Sequence, residues 1–164
     1  MDKIDVVKKI EEIGVVAVIR GKNPEEAVAM SDACIAGGVT AIELAFTTPQ
    51  AHEAIETLSK KYADNPDVII GAGTVLDAVT ARIAILNGAQ FVVSPAFDLE
   101  TVKLCNRYRI AVMPGTTTLN GVLEALEAGA DVIKIFPGEI HFVDGNEGTL
   151  RQLKRVLPEQ TRPG

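Results

Sequence analysis

The sequence predicts an α/β fold of the (β/α)8 TIM-barrel type, with about six βα units present in the chain. Three observations lead there. Short β-branched runs alternate with longer helical patterns, and successive strands start 20 to 27 residues apart, enough for one strand, one helix and two tight loops. Three times a helix runs into glycine and then directly into a strand, at 37–42, 88–92 and 129–133, an internal repeat that implies a parallel sheet with helices outside it. In the second strand Ala41, Glu43 and Ala45 share one face, and Ile42, Leu44 and Phe46 share the other. An open doubly wound sheet also satisfies the repeat. Its strands, however, are covered on both faces and tend to be apolar throughout, whereas a barrel lumen holds polar groups near its C-terminal mouth, which favours the barrel.

The elements follow in order. Residues 1–14 place Ile4, Val7, Ile10 and Ile13 at three-residue steps and stop at Gly14, the pattern of an amphipathic leading helix with a glycine end. Strands are expected at 15–20, 41–46, 68–74, 91–95, 111–113 and 132–136. Asn23-Pro24-Glu25-Glu26 supplies an N-cap, a proline whose missing N–H costs nothing in a first turn, and acids that complement the helix dipole. Thr48-Pro49 and Asp98 are expected to start later helices in the same way. The whole of 1–164 reads as one domain.

Composition sets the bounds. With 47% hydrophobic residues and a net charge of −6, the 164-residue chain can bury a substantial core. It has no basic stripe for a phosphodiester backbone, so neither nucleic acid nor an anionic membrane is an expected partner, and a small-molecule substrate is. Cys34 and Cys105 stand far apart without CxxC spacing, which predicts reduced thiols and a cytoplasmic location. The opening residues lack the apolar core of a signal peptide, and nowhere do 18 apolar residues run together, so neither export nor a membrane span is expected.

The chemistry-bearing residues collect at the C-terminal ends of the strands, where parallel α/β folds place their sites. They are Arg20, Glu43, Thr74, Ser94-Pro95, Pro114-Gly115-Thr116 and Lys134. Lys134 lies between Ile133 and Ile135, where a charged amine is costly if it points inward. An ordinary lysine is neutral in roughly one molecule in 2,500 at pH 7, and about 3–4 kcal/mol of desolvation makes the free amine common enough to attack a carbonyl. The bland alternatives are a lysine reaching out from a strand end, or an ion pair with Glu43.

Glu43, buried in an apolar strand, would have a raised pKa and could pass protons, or it could be a salt-bridged core glutamate. Gly71-Ala72-Gly73-Thr74 would let backbone N–H groups approach a carboxylate, or is only a glycine-rich turn. It lacks the third glycine of GxGxxG, and no acid follows for a ribose hydroxyl, so no nicotinamide cofactor is expected. His52 and His141 are the only histidines, no strand end gathers metal ligands, and Ser94 has no partner histidine. Neither a metal site nor a hydrolase triad is therefore expected. A buried lysine and a buried glutamate on two strands are what a Schiff-base enzyme requires.

Together VIR at 18–20, IELAFTTP at 42–49, GAGTV at 71–75, VSPAF at 93–97, MPGTTT at 113–118 and IKIFPGE at 133–139 resemble the bacterial KHG/KDPG aldolase family. The resemblance implies a cofactor-free class I aldolase that cleaves 2-keto-3-deoxy-6-phosphogluconate to pyruvate and glyceraldehyde 3-phosphate, assembled as a homotrimer of barrels. It implies that Lys134 forms the Schiff base, that Glu43 is the general acid/base, and that Gly73 and Thr74 hold the pyruvate carboxylate. Pro95 and Phe136 would line the site, with Arg20 at its mouth and Thr47 where many members carry an arginine. Eight units need about 200 residues, and the likeness fades after Ile140, so the last two βα units and the family's phosphate loop are expected to be missing. The alternatives are a preference for 4-hydroxy-2-oxoglutarate, giving pyruvate and glyoxylate, or an inactive barrel fragment that binds pyruvate-like acids or serves only in assembly.

Overall fold

The computed structural model describes residues 1–138; Glu139, His141 and the rest of the C-terminal stretch lie outside the described residues. The leading helix α1 (Lys3–Ile13) is followed by β1 (Ala17–Ile19), α2 (Pro24–Ala36), β2 (Ala41–Ala45), α3 (Ala51–Lys61), β3 (Ile69–Gly73) and α4 (Ala78–Leu86). Then come β4 (Phe91–Val93), α5 (Leu99–Arg107), β5 (Ala111–Met113), β6 (Gly115–Thr116), α6 (Leu119–Glu127) and β7 (Lys134–Ile135). Every expected strand forms, several of them shorter than expected. Pro114 has no N–H to donate to a ladder, and it separates β6 from β5, a division the sequence reading lacks. It is β6 that carries the parallel pairing to β7, through Gly115↔Lys134 and Thr116↔Ile135.

Strands β1 to β5 form one parallel sheet in chain order. That order separates the two candidate architectures, because a doubly wound sheet reverses at a switch point and carries helices on both faces. Here the side chains of Ile42, Leu44, Ile70, Val92 and Val112 pack outward with Ile55, Leu58, Ala81, Val102 and Cys105 of the connecting helices. The opposite face gathers Ile69, Phe91, Val93, Ala111 and Met113 with Val6 of α1. Connecting helices on one side and a separate inner cluster on the other are the wall and lumen of a TIM-type barrel. β1 pairs with β2 alone among the described residues, so Val18, in register with Glu43, is 41% exposed.

The helix α1 plugs the N-terminal end of this lumen, with Val7, Ile10 and Ile13 packed against the inner cluster. Asp2 caps it through the N–H groups of Ile4 and Asp5, and Gly14 ends it with φ 72°. Lys3 fastens the plug. Its ammonium lies 3.0 Å from the Asp131 carboxylate, with both side chains largely shielded, and the same Asp131 oxygen accepts the Val112 N–H at 2.9 Å. Asp131→Ala is therefore expected to cost about 2 kcal/mol, because a shielded ammonium loses one of its two acceptors, the Asn106 side chain being the other, and a strand amide loses its carboxylate. The reading is a lower urea midpoint at unchanged m; a midpoint equal to that of the parent would show that the plug is held by its apolar face alone.

Two of the three expected helix starts form as read. The Asn23 side chain accepts the Glu26 N–H at 2.8 Å ahead of Pro24, and Asp98 accepts the Thr101 N–H at 2.8 Å. Thr48-Pro49 does not start α3. That helix begins at Ala51 behind Gln50, whose φ of 53° makes no side-chain cap, because the Thr48 hydroxyl is engaged elsewhere. Both cysteines are free thiols, and burial pushes the Cys105 thiol up to about 12, leaving it unreactive as a core residue.

Candidate active site

Glu43 sits in the middle of β2, a strand buried from end to end. Its neighbours on the same face, Ala41 and Ala45, leave space above the sheet, and across the ladder it faces Gly71. The carboxyl group leans one pair further along, onto Gly73: a methyl group placed there would coincide with Glu43 Oε1. Glycine at 73 is thus a matter of room for the carboxylate. The Glu43 residue is 4% exposed, and it takes no hydrogen bond or ion pair among the described residues.

Burial raises the pKa of Glu43 above the ordinary 4.5, and the charges of Lys134 and Arg20 oppose that rise in part. A carboxyl group in this state keeps its proton to higher pH than a solvated one does, which suits it to pass protons.

Lys134 opens β7, its N–H bonded to the Pro114 carbonyl at 3.0 Å. Its residue is half-buried rather than enclosed, so the dry surroundings expected for it are only partial. Among the described residues it forms no ion pair, which removes the Lys134–Glu43 salt bridge as a reading of the two groups. The ammonium lies 4.8 Å from the centre of the Phe136 ring, and Phe136 continues into a hollow of about 340 Å³ lined also by Pro95, Phe97, Gly115, Thr116 and Pro137. Gly115 lets the strand carry this wall, since a side chain there would meet the Pro95 carbonyl.

The remaining expected residues fall around these two centres. Thr74 follows Gly73 at the end of β3, half-buried, with φ 54°, a left-handed conformation uncommon for a branched residue and frequent at functional sites. Arg20 follows the last residue of β1 and is exposed, as is Thr47 at the end of β2. His52 is half-buried on α3, and no group of three metal-ligating side chains occurs among the described residues. The larger hollow, of about 500 Å³, opens at the other end of β3 beside Ser59, Tyr62 and Gly88 and contains none of the expected groups.

Thr48 is the residue whose role the sequence reading missed. Its hydroxyl, 2% exposed, accepts the Gly21 N–H at 3.0 Å and so ties the loop carrying Arg20 to the end of the glutamate strand. Nothing local marks it, since a threonine before proline is the ordinary mark of a helix start.

The amine thus stands on β7, the carboxyl group on β2 and the cation just after β1. The family model for KDPG and KHG aldolase matches residues 6–157. A 2-dehydro-3-deoxy-phosphogluconate aldolase of Treponema pallidum (strain Nichols) is 37% identical over 137 residues, 84% of this chain and 64% of the relative. A cube-shaped, porous protein cage designed by fusing symmetric oligomeric domains matches with a TM-score of 0.80 at 34% identity, over 89% of this chain and 52% of that one. A KDPG aldolase from Legionella pneumophila, solved with pyruvate captured as a covalent carbinolamine, matches with a TM-score of 0.74 at 29% identity, over 87% of this chain and 66% of that one. The chain spans just under two thirds of the length of the Treponema relative. With nearly the whole described barrel wall inside the matched region, the chain belongs to the KDPG and KHG aldolase family.

Proposed function

We propose that this chain carries out class I aldolase chemistry on 2-keto-3-deoxy acids, with Lys134 as the nucleophile and Glu43 as the proton carrier. The observation that supports this most directly is the pairing of a buried, unpartnered carboxyl group, its pKa raised by burial, with an amine whose charge it senses but does not bind. The Lys134 amine adds to the C2 ketone, and loss of water from the carbinolamine leaves a protonated imine. The C3–C4 bond then breaks, its electrons pass to the imine nitrogen, and Glu43 takes the proton of the C4 hydroxyl as the aldehyde departs. The enamine is protonated at C3, and water releases pyruvate and the free amine. Gly73 and Thr74 hold the pyruvate carboxylate, Pro95 and Phe136 wall the site, and Arg20 and Thr47 stand at its mouth.

The preferred substrate in this reading is 2-keto-3-deoxy-6-phosphogluconate, the chain acting in the cytoplasm as a homotrimer. The second reading, 4-hydroxy-2-oxoglutarate, is favoured by one feature: the exposed position where many members carry an arginine holds Thr47, one anion contact fewer. The third is an inert fragment that binds pyruvate-like acids. Borohydride reduction in the presence of pyruvate, followed by peptide mass analysis, tests the chemistry. A three-carbon adduct on the peptide containing Lys134 is the expected result, and an unlabelled peptide where a known imine enzyme is labelled supports the inert fragment. Cleavage rates on the phosphorylated and unphosphorylated substrates then separate the first two readings.

A further inference from the structure

Arg20 is an exposed cation that forms no ion pair among the described residues. It follows the last residue of β1, where the ladder with β2 ends at Ile19↔Leu44, so strand pairing does not fix it. One bond beyond the ladder does. The Gly21 N–H belongs to the rigid peptide plane that joins it to Arg20, and donating that N–H to the Thr48 hydroxyl at 3.0 Å fixes the ψ angle of Arg20. Thr48 is buried, so water does not compete for the amide.

Both partners of this bond are held on their far sides. Thr48 is fastened to the glutamate strand, its own N–H bonded to the Ala45 carbonyl at 2.9 Å and its carbonyl accepting the Ala51 N–H at 3.2 Å. Gly21 is pressed against the start of α2, where a methyl group would stand 2.7 Å from the Ala27 nitrogen, and the next residue, Lys22, gives its N–H to the Glu26 carboxylate. The place of Arg20 is thereby referred to β2. Glu43 lies on that strand, and the charged groups that act on its carboxyl are Arg20 beyond β1 and Lys134 on β7; β3, on its other side, offers it only Gly71 and Gly73.

We propose that Thr48 is a positioning residue of the aldolase reaction, holding the Arg20 guanidinium where its charge acts on the Glu43 carboxyl through the buried hydrogen bond to Gly21. The role rests on the aldolase reading, in which Glu43 takes the proton of the C4 hydroxyl and must be ionised to do so. With Arg20 held, its charge favours the ionised carboxyl; with Arg20 loose, burial prevails and the carboxyl keeps its proton to higher pH. Cleavage then slows most at low pH and recovers as pH rises. A threonine that only stabilised the fold would change the rate alike at every pH.

Carbon NMR of the Glu43 carboxyl across pH, together with pH profiles of cleavage, tests this on the full chain. The proteins are the parent, Thr48→Val, Thr48→Ser, Arg20→Gln and the double variant Thr48→Val/Arg20→Gln. Valine nearly keeps the shape of threonine and removes the acceptor. Thr48→Val is expected to move the Glu43 titration upward and to lower kcat about threefold or more on the acid limb, with little loss at high pH. Thr48→Ser is expected to restore both, and Thr48→Val is expected to add nothing once Arg20→Gln is present, since the two act through one charge. A Glu43 titration left in place by Thr48→Val overturns the proposal, as does an equal effect of Thr48→Val with and without Arg20. If Thr48→Val loses its circular dichroism spectrum, Thr48→Ala is read in the same way. A parent left unlabelled by borohydride with pyruvate overturns the aldolase reading and this role with it, whereas a labelled parent with an unmoved titration overturns the role of Thr48 alone.

Discussion

Lys134→Met is expected to lower the cleavage rate by about 10,000-fold or more and to abolish borohydride labelling with pyruvate, because methionine cannot form the imine that accepts the electrons of the breaking bond. Methionine nearly matches the lysine stem and can still pack against Phe136. The amine it replaces is half-buried and forms no ion pair, so the urea midpoint should move by no more than about 0.5 kcal/mol equivalent. Loss of chemistry without loss of fold is the signature of a nucleophile. Other lysines are committed elsewhere: Lys3 to Asp131, Lys9 to Asp67 and Lys61 to Asp32. Cleavage in Lys134→Met within tenfold of the parent, or an adduct on a different peptide, would move the chemistry to another residue and end the assignment.

Glu43→Gln is expected to lower turnover by about 100- to 10,000-fold, the usual range for a positioned proton carrier. Glutamine keeps the volume above Gly73 and loses only the exchangeable proton. The same substitution has a stability signature of definite sign. The folded-state pKa of Glu43 lies above the ordinary 4.5 because burial disfavours the charged form, so between those two values the native state binds more protons than the unfolded chain. Stability contributed by this group therefore falls as pH rises through the window, and the loss is complete above the folded value. Glutamine does not titrate, so the variant should gain on the parent as pH rises from the ordinary carboxylate value through the raised one. Urea midpoints of the two proteins across that range check it, and parallel profiles would mean that the carboxyl group is solvated rather than enclosed.

Much of the fold was legible because it is written in short-range pattern. The three-residue steps of Ile4 to Ile13 and the stop at Gly14 appear as α1 with its left-handed glycine cap. The Asn23-Pro24 and Asp98 starts recur as real caps. The alternation in β2 placed Glu43 on the lumen face, where it lies. Where the reading failed, a distant residue had changed the local choice. Thr48 has the chemistry of a helix cap, but its hydroxyl is taken by Gly21, which lies 27 positions earlier in the chain, so α3 starts two residues later, behind Gln50. Pro114 follows the strand expected at 111–113, and the short β6 beyond it, which pairs with β7, has no counterpart in the sequence reading.

The candidate site divides in the same way. That a lysine in VIKIF and a glutamate in IELAF are unusual is visible in the residues alone, because a charge among β-branched neighbours is costly wherever it is placed. That Glu43 leans on Gly73 without a hydrogen-bond partner and that Lys134 stays half-buried beside Phe136 are facts of register and distance. Periodicity along a chain determines which faces are apolar and where helices begin and end, so the sequence by itself determined the barrel repeat and singled out the candidate groups. The surroundings of each group depend on residues tens of positions away, brought near by parallel strand pairing, and only the tertiary structure decided how dry, how close and how encumbered each one is.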